Sequence, residues 1–353
     1  MLTTPDCIQV GDGSLRPDVQ REGLFLTVED EKGTYTIPYI QNSGTLRVSM
    51  KFGTQDILRV QLELYGPAHR VLRAAATPKQ PTVCFPDLPP GEYTLYARAR
   101  DASGAKAFAF TYRHIGIGTV LAALGDSITE GYYSRGYATG DDRTASMFPP
   151  EAVSRDGRNF PQYGPTTHQY MPTVNCFESW MTGLNDLLAE AWRHPVFIAN
   201  EGWGGYTSET YLNLMRTNTK WQARMRQLKP QVWLIHLGVN DERAKMPPET
   251  FARNMDAIVG ELIDKYGAKP DHILIAHPSY DYFEGAPQIL QSFSREIDRL
   301  IERRGLSHGP DFFDAFSRDK QKWYGDDPVH PNVAGVRYMA EQWAKAITSA
   351  VSH

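Results

Sequence analysis

The sequence predicts an α/β domain with a mostly parallel sheet and helices on both faces, preceded by a β-sandwich domain. Three observations carry this expectation. Short uninterrupted apolar runs that end in small or polar residues recur through the last two thirds of the chain, as buried parallel strands do. Segments of helical periodicity separate them. Ahead of them, from about Glu22 to Tyr112, apolar and polar residues alternate at period two, the pattern of half-buried antiparallel strands.

In the first third, Arg59–Leu64 alternates cleanly and Glu92–Arg100 does so over a longer run. Turn residues separate such runs at Glu31-Lys32-Gly33, Asn42-Ser43-Gly44, Pro89-Pro90-Gly91 and Asp101-Ala102-Ser103-Gly104. Leu88–Leu95 resembles the last hairpin of immunoglobulin-like or fibronectin-like modules. A sugar-binding role would be helped by exposed tryptophans, and this region contains none, so the expectation is an accessory domain. His114–Gly118, with two glycines, reads as the joint. The expected domains are 1–117 for the β-sandwich and 118–353 for the α/β domain.

The second domain opens with Val120–Leu124, five apolar residues that stop at Gly125. Ser127 follows two positions later, just past a strand's carboxyl end, where open α/β sheets place their ligands. If a helix starts there, its free N–H groups point at whatever the hydroxyl attacks, which makes Ser127 a candidate nucleophile. Tyr132–Asn175 is a long insertion rich in Gly, Pro and Tyr, able to line or cover a pocket. Helical patterns then occupy 177–193, 208–228, 248–266, 287–304 and 333–351. Strands are expected at 196–199, 231–237 and 272–276, with a short one at Phe312-Phe313. No internal repeat stands out.

Hydrophobic residues make up 41% and charged residues 22%, and the net charge is -4, with no basic block. Nucleic acid is therefore not an expected partner. No apolar run approaches 20 residues, so no membrane span is expected. Cys7, Cys84 and Cys176 are odd in number and far apart, against a disulfide framework or a thiolate metal site. The N-terminus shows no signal-peptide pattern; the plain reading is cytoplasmic, or secreted if a leader was removed. Oligomeric state is left open.

Chemistry concentrates at the strand ends. The first strand leads into Gly125-Asp126-Ser127-Ile128-Thr129, the second into Asn200–Thr207 and the third into Gly238-Val239-Asn240-Asp241. Asp326-Asp327-Pro328-Val329-His330-Pro331-Asn332 precedes the last helix. In a parallel sheet all carboxyl ends lie along one edge, so these clusters can converge. Serine-mediated ester hydrolysis needs a hydroxyl, a base, a carboxylate that orients the base, and donors for the oxyanion. His330 suits the base, and Asp327 can reach its other ring nitrogen if the segment turns. Asn240 offers side-chain N–H groups, while Gly205 and Ser127 offer backbone ones. Asn332 reads as a helix cap, His236 as a core histidine, and Asp126 and Asp241 as loop braces.

Gly125-Asp126-Ser127, Asn200-x-Gly202-x-x-Gly205, Gly238-x-Asn240-Asp241 and Asp327-x-x-His330 resemble, in order, the four blocks of the SGNH (GDSL-type) esterase and lipase family. The resemblance runs from about Val120 to the C-terminus. It implies a three-layer α/β/α hydrolase that uses no metal or other cofactor. By that likeness Ser127 is nucleophile and oxyanion donor, Gly205 and Asn240 are further donors, His330 is the base and Asp327 its orienting group. Gly204 could stand in for Gly205 and Asp326 for Asp327; block spacing favours the second of each pair.

The expected activity is a serine esterase removing short acyl groups, acetyl above all, from a carbohydrate or small-molecule ester. The carbohydrate element rests on analogy with family members that carry a β-sandwich ahead of the hydrolase domain. The alternatives are a lipase or thioesterase for longer acyl chains and, from a different class, a carbohydrate-binding protein on an inactive hydrolase scaffold.

Overall fold

The computed structural model describes residues 7–10, 25–30, 33–38, 40–42, 44–52, 57–103, 107–131, 180–324 and 328–351. The Tyr132–Asn175 insertion lies outside them. Contacts divide the chain into two compact units. Strands through Thr119, apart from Asp30 and Gly33, form one with Arg193–Pro195; the other takes the described residues from Val120 to Trp192 and from Val196 on.

The first unit is a β domain. Its strands are β1 (Cys7–Val10), β2 (Phe25–Asp30), β3 (Gly33–Pro38), β4 (Ile40–Gln41), β5 (Leu46–Phe52), β6 (Ile57–Tyr65), β7 (Val71–Ala76), β8 (Thr82–Phe85), β9 (Gly91–Asp101) and β10 (Ala107–Ile117). They form a five-stranded sheet ordered β4-β10-β9-β6-β7, a three-stranded sheet β1-β5-β8 and the pair β2-β3. The period-two pattern does what it should: Val60, Leu62 and Leu64 of β6 and Tyr93, Leu95 and Ala97 of β9 are buried, while residues between them face outward. The boundary between the units falls at Thr119–Val120, beside the expected joint, but the backbone before it is not relaxed: Ile115–Ile117 ends β10, held by the register Ile115↔Tyr93, Gly116↔Glu92 and Ile117↔Gly91, and Gly118 is a bend. The ladder to β9 outweighs the freedom of one glycine.

The second unit holds a five-stranded sheet ordered β12-β11-β13-β14-β15. Its strands are β11 (Thr119–Gly125), β12 (Val196–Gly202), β13 (Val232–His236), β14 (Ile273–His277) and β15 (Ser307–Asp311). Pairing is parallel for β11–β13, β13–β14 and β14–β15. All seven residues of β11 and of β12 are buried, which is why Val120–Leu124 and Val196–Ala199 within them read as unbroken apolar runs.

The helices are α1 (Ser127–Glu130), α2 (Trp180–Trp192), α3 (Ser208–Thr217), α4 (Thr219–Leu228), α5 (Val239–Arg243), α6 (Pro248–Tyr266), α7 (Ala286–Arg304), α8 (Phe312–Ser317), α9 (Lys320–Trp323) and α10 (Val333–Ala350). On one face of the sheet, Leu121, Ala123, Ile198, Val232 and Leu234 pack with Leu184 and Leu188 of α2 and Met339 and Ile347 of α10. Trp180 and Trp343 stack there with ring centroids 5.5 Å apart. Toward the other face Trp233 meets Tyr266 of α6, and Phe251 of α6 stacks on Phe293 of α7 at 4.3 Å. The three layers follow from these two sets of contacts.

Two further expectations are corrected. Phe312-Phe313 is not a strand: the Asp311 side chain accepts Asp314 N–H at 3.0 Å and caps α8, so the aromatic doublet opens a helix. The strand is the polar stretch just before it. The helical pattern of 208–228 is two helices, because Asn218 (φ -82°, ψ 101°) leaves the helical region and its side chain caps α4 through Trp221 N–H.

Glu201 at the end of β12 and Arg224 of α4 form a buried ion pair, 3% and 2% exposed for Arg and Glu, with Arg224 Nε 2.7 Å from Glu201 Oε1. Removing one partner leaves the other charge buried alone. Arg224→Met should therefore lower stability by about 3–5 kcal/mol, and Glu201→Gln in the same chain should return much of it, as read from urea unfolding midpoints.

Candidate functional site

β11 ends at Gly125 and the chain turns at once into α1. Asp126 makes that turn possible: its backbone is extended, and its carboxylate accepts Ile128 N–H at 3.0 Å as the helix cap. Ser127 is thereby the first helical residue, and as such its N–H has no partner within the helix. Its Oγ lies 2.8 Å from His330 Nε2. An imidazole nitrogen at that distance can take the hydroxyl proton as the oxygen attacks.

His330 owes its position to the residues around it. Tyr324 and Pro331 form a β-bridge that closes the segment carrying the ring. Asn332, two residues on, donates from its backbone N–H to Trp323 O at 2.8 Å and from Nδ2 to Lys322 O and Tyr324 O, both at 3.1 Å. Its Oδ1 accepts Gly335 N–H at 3.0 Å, so the expected cap of the last helix is there. Asp326 and Asp327 lie outside the described residues.

The second block sits at the end of β12. Asn200 binds across to α1, with Nδ2 donating to Glu130 O at 3.1 Å and Oδ1 accepting Gly202 N–H at 3.0 Å. Gly202 passes so close to α1 that a Cβ there would fall 2.1 Å from Glu130 N. Beyond it Trp203 donates its N–H to Gly125 O at 3.0 Å, and Tyr206 N–H closes a turn on Trp203 O at 3.1 Å. Gly205, in this turn, has φ +78°, and no described residue lies within 4 Å of where its Cβ would be. Gly204 N–H, by contrast, is taken by Glu130 Oε2 at 2.7 Å.

Asn240, in the first turn of α5, donates one Nδ2 hydrogen to Tyr206 O at 3.1 Å. A carboxamide nitrogen carries two hydrogens, so one remains for a ligand. Asp241 beside it is buried, and its carboxylate accepts both Ser208 N–H and Ser208 Oγ–H, tying α5 to the start of α3. The structure thus joins Ser127 directly to His330, and Asn240 to the Gly205 turn.

The nearby acids and histidine behave as braces and core. Burial lifts the Asp126 carboxyl to about 7, against the opposing pull of Ile128 N–H and the His330 ring. Burial also raises Asp241. His236 is 2% exposed, its pKa driven down to about 4 by burial, and its Nε2 lies 3.2 Å from Ser279 Oγ. Glu130 also belongs to this cluster and is fully buried, although nothing in the sequence singles it out. One charged residue after a short motif carries no periodic cue, and only the fold shows that it points inward.

Because the folded-state pKa of Asp126 is raised, the native chain holds that proton more tightly than the unfolded one. The stability this contributes is present below about pH 4 and is lost as pH rises toward 7. Asp126→Asn keeps an acceptor for Ile128 N–H and removes the titration. Between pH 4 and 7 the wild-type urea midpoint should fall relative to that variant.

Residues 123–338, more than half of the 353-residue chain, match the profile of the GDSL-like lipase/acylhydrolase family. No curated protein sequence matches this one. Among solved structures the chain is similar to an acetyl xylan esterase from Geobacillus stearothermophilus, at 18% identity over 67% of this chain and 97% of that one, TM-score 0.45. It is also similar to a lipase/acylhydrolase from Enterococcus faecalis, at 14% identity over 67% and 100%, TM-score 0.45. An aryl esterase from M. smegmatis aligns at 15% identity over 66% and 100%, TM-score 0.45. The matched residues run from within β11 into α10 and so take in Ser127, Gly205, Asn240 and His330: this chain belongs to the GDSL-like lipase/acylhydrolase family.

Proposed function

We propose that this protein is a serine esterase that removes short acyl groups, acetyl above all, from carbohydrate esters by a Ser-His-Asp mechanism. The observation that carries the chemistry is the 2.8 Å contact between Ser127 Oγ and His330 Nε2 at the carboxyl edge of the sheet. The carbohydrate part rests on the β domain that precedes the hydrolase domain.

Ser127 Oγ attacks the ester carbonyl while His330 Nε2 takes its proton. The carbonyl oxygen gains the electron pair and becomes an oxyanion. Ser127 N–H, Gly205 N–H and Asn240 Nδ2 meet it, the last two from a turn and a helix already tied together through Tyr206 O. Gly204 N–H is engaged by Glu130, which supports Gly205 as the donor. The intermediate collapses, His330 protonates the leaving alcohol, and an acyl-serine remains. Water, deprotonated by the same ring, then releases the acid and restores Ser127. Asp327 holds the other ring nitrogen so that Nε2 faces the serine. Residues 1–117 act as an accessory β-sandwich.

With p-nitrophenyl acetate, Ser127→Ala should lose at least about 10³-fold in kcat, and Asn240→Ala about 10²–10³-fold with a much smaller change in KM. Equal rates for wild type and Ser127→Ala would end the esterase reading, and absence of fluorophosphonate labelling at Ser127 would favour an inactive scaffold. On a p-nitrophenyl ester series, kcat/KM should be highest for acetyl and fall toward octanoyl. The reverse order would make the enzyme a lipase or thioesterase for longer chains.

A further inference from the structure

We propose that Glu130 is a positioning residue whose buried carboxylate sets the Trp203–Tyr206 turn so that Gly205 N–H faces the reacting carbonyl. The inference rests on the reading of Gly205 as an oxyanion donor. Tyr206 N–H closing on Trp203 O makes Gly204 and Gly205 the central residues of a four-residue turn. Of the two, only Gly205 has a positive φ, +78°, the signature of a type II turn. Types I and II differ by a flip of the central peptide, the one that carries Gly205 N–H. That single rotation decides whether the donor faces substrate or turns away.

Two glycines cannot hold such a choice themselves, because neither has a Cβ to forbid the other state. The hold comes from outside the turn. Glu130 Oε2 accepts Gly204 N–H at 2.7 Å and fixes the peptide just before the one that must not flip. Hydrogen bonds from backbone N–H to a carboxylate are roughly twice as strong as neutral ones. The anchor is rigid: Glu130 is fully buried, its N–H donates to Asp126 O at 2.8 Å, and its carbonyl accepts from Asn200 Nδ2 at 3.1 Å. It also lies on α1, three residues from Ser127. Nucleophile and oxyanion donor are therefore positioned from one four-residue helix.

Glu130→Met keeps the length and removes the acceptor. It should lower kcat about 10–10²-fold with KM within about threefold, because the lost interaction is made in the transition state. Glu130→Gln retains an acceptor oxygen and should recover most of that loss. A residue acting through Gly205 also predicts a coupling: Glu130→Met should cost little more in a Gly205→Ala background, yet multiply with Asn240→Ala. A folded Glu130→Met enzyme with unchanged kcat, or losses that multiply with Gly205→Ala, would overturn the proposal. If Glu130→Met does not fold, Glu130→Asp keeps the charge but withdraws it from Gly204, and it is held to the same outcomes. Wild type that cleaves no ester would sink the esterase reading, whereas Ser127-dependent activity with Glu130 variants at full kcat would sink this inference alone.

Discussion

Where the end of β12 passes α1, no side chain fits between the two backbones. A Cβ on Gly202 would fall 2.1 Å from Glu130 N. The approach brings the second strand-end loop against the helix that carries Ser127, and it lets Asn200 bond across to Glu130 O. Trp203 N–H then reaches back to Gly125 O. A larger residue at 202 would push the loop away and undo all of these bonds together. Parallel pairing brings the strand ends to one edge; this contact sets their spacing there.

The loops at that edge are braced by polar groups more than by apolar packing. Asp126 accepts Ile128 N–H, Asp241 accepts from Ser208, and Glu130 accepts Gly204 N–H. Each carboxylate is buried and would be costly alone, but each takes at least one backbone donor that would otherwise be orphaned beneath a turn. Apolar side chains could fill the same space without fixing the direction of an N–H. On the proposed esterase reading, where hydrogen bonds must be aimed at a developing charge, direction matters more than volume.

Much of this was legible in the residues. The unbroken apolar runs of β11 and β12, the turn residues after them and the Asn332 cap are local signals, and local signals survive folding. Signals that depend on a neighbour fared worse. His114–Ile117 looked loose because its two nearby glycines are a local cue, whereas its pairing with Gly91–Tyr93 is the far end of the β9–β10 hairpin. Phe312-Phe313 looked like a strand because aromatic pairs favour β structure, a preference that the Asp311 cap outweighs. Glu130 gave no signal, since a lone carboxylate after a short motif reads as solvated until the fold encloses it. Ser127 and His330, 203 positions apart, could be matched only by motif order, and the described structure places them in contact.

Asn332 does two jobs at once. It starts α10, and it sutures the Trp323–Tyr324 backbone to the segment that bears His330. α10 in turn docks through Trp343 against Trp180 of α2. Because α10 also supplies Met339, Trp343 and Ile347 to the core, the fold cannot close on that face without drawing the His330 segment into place.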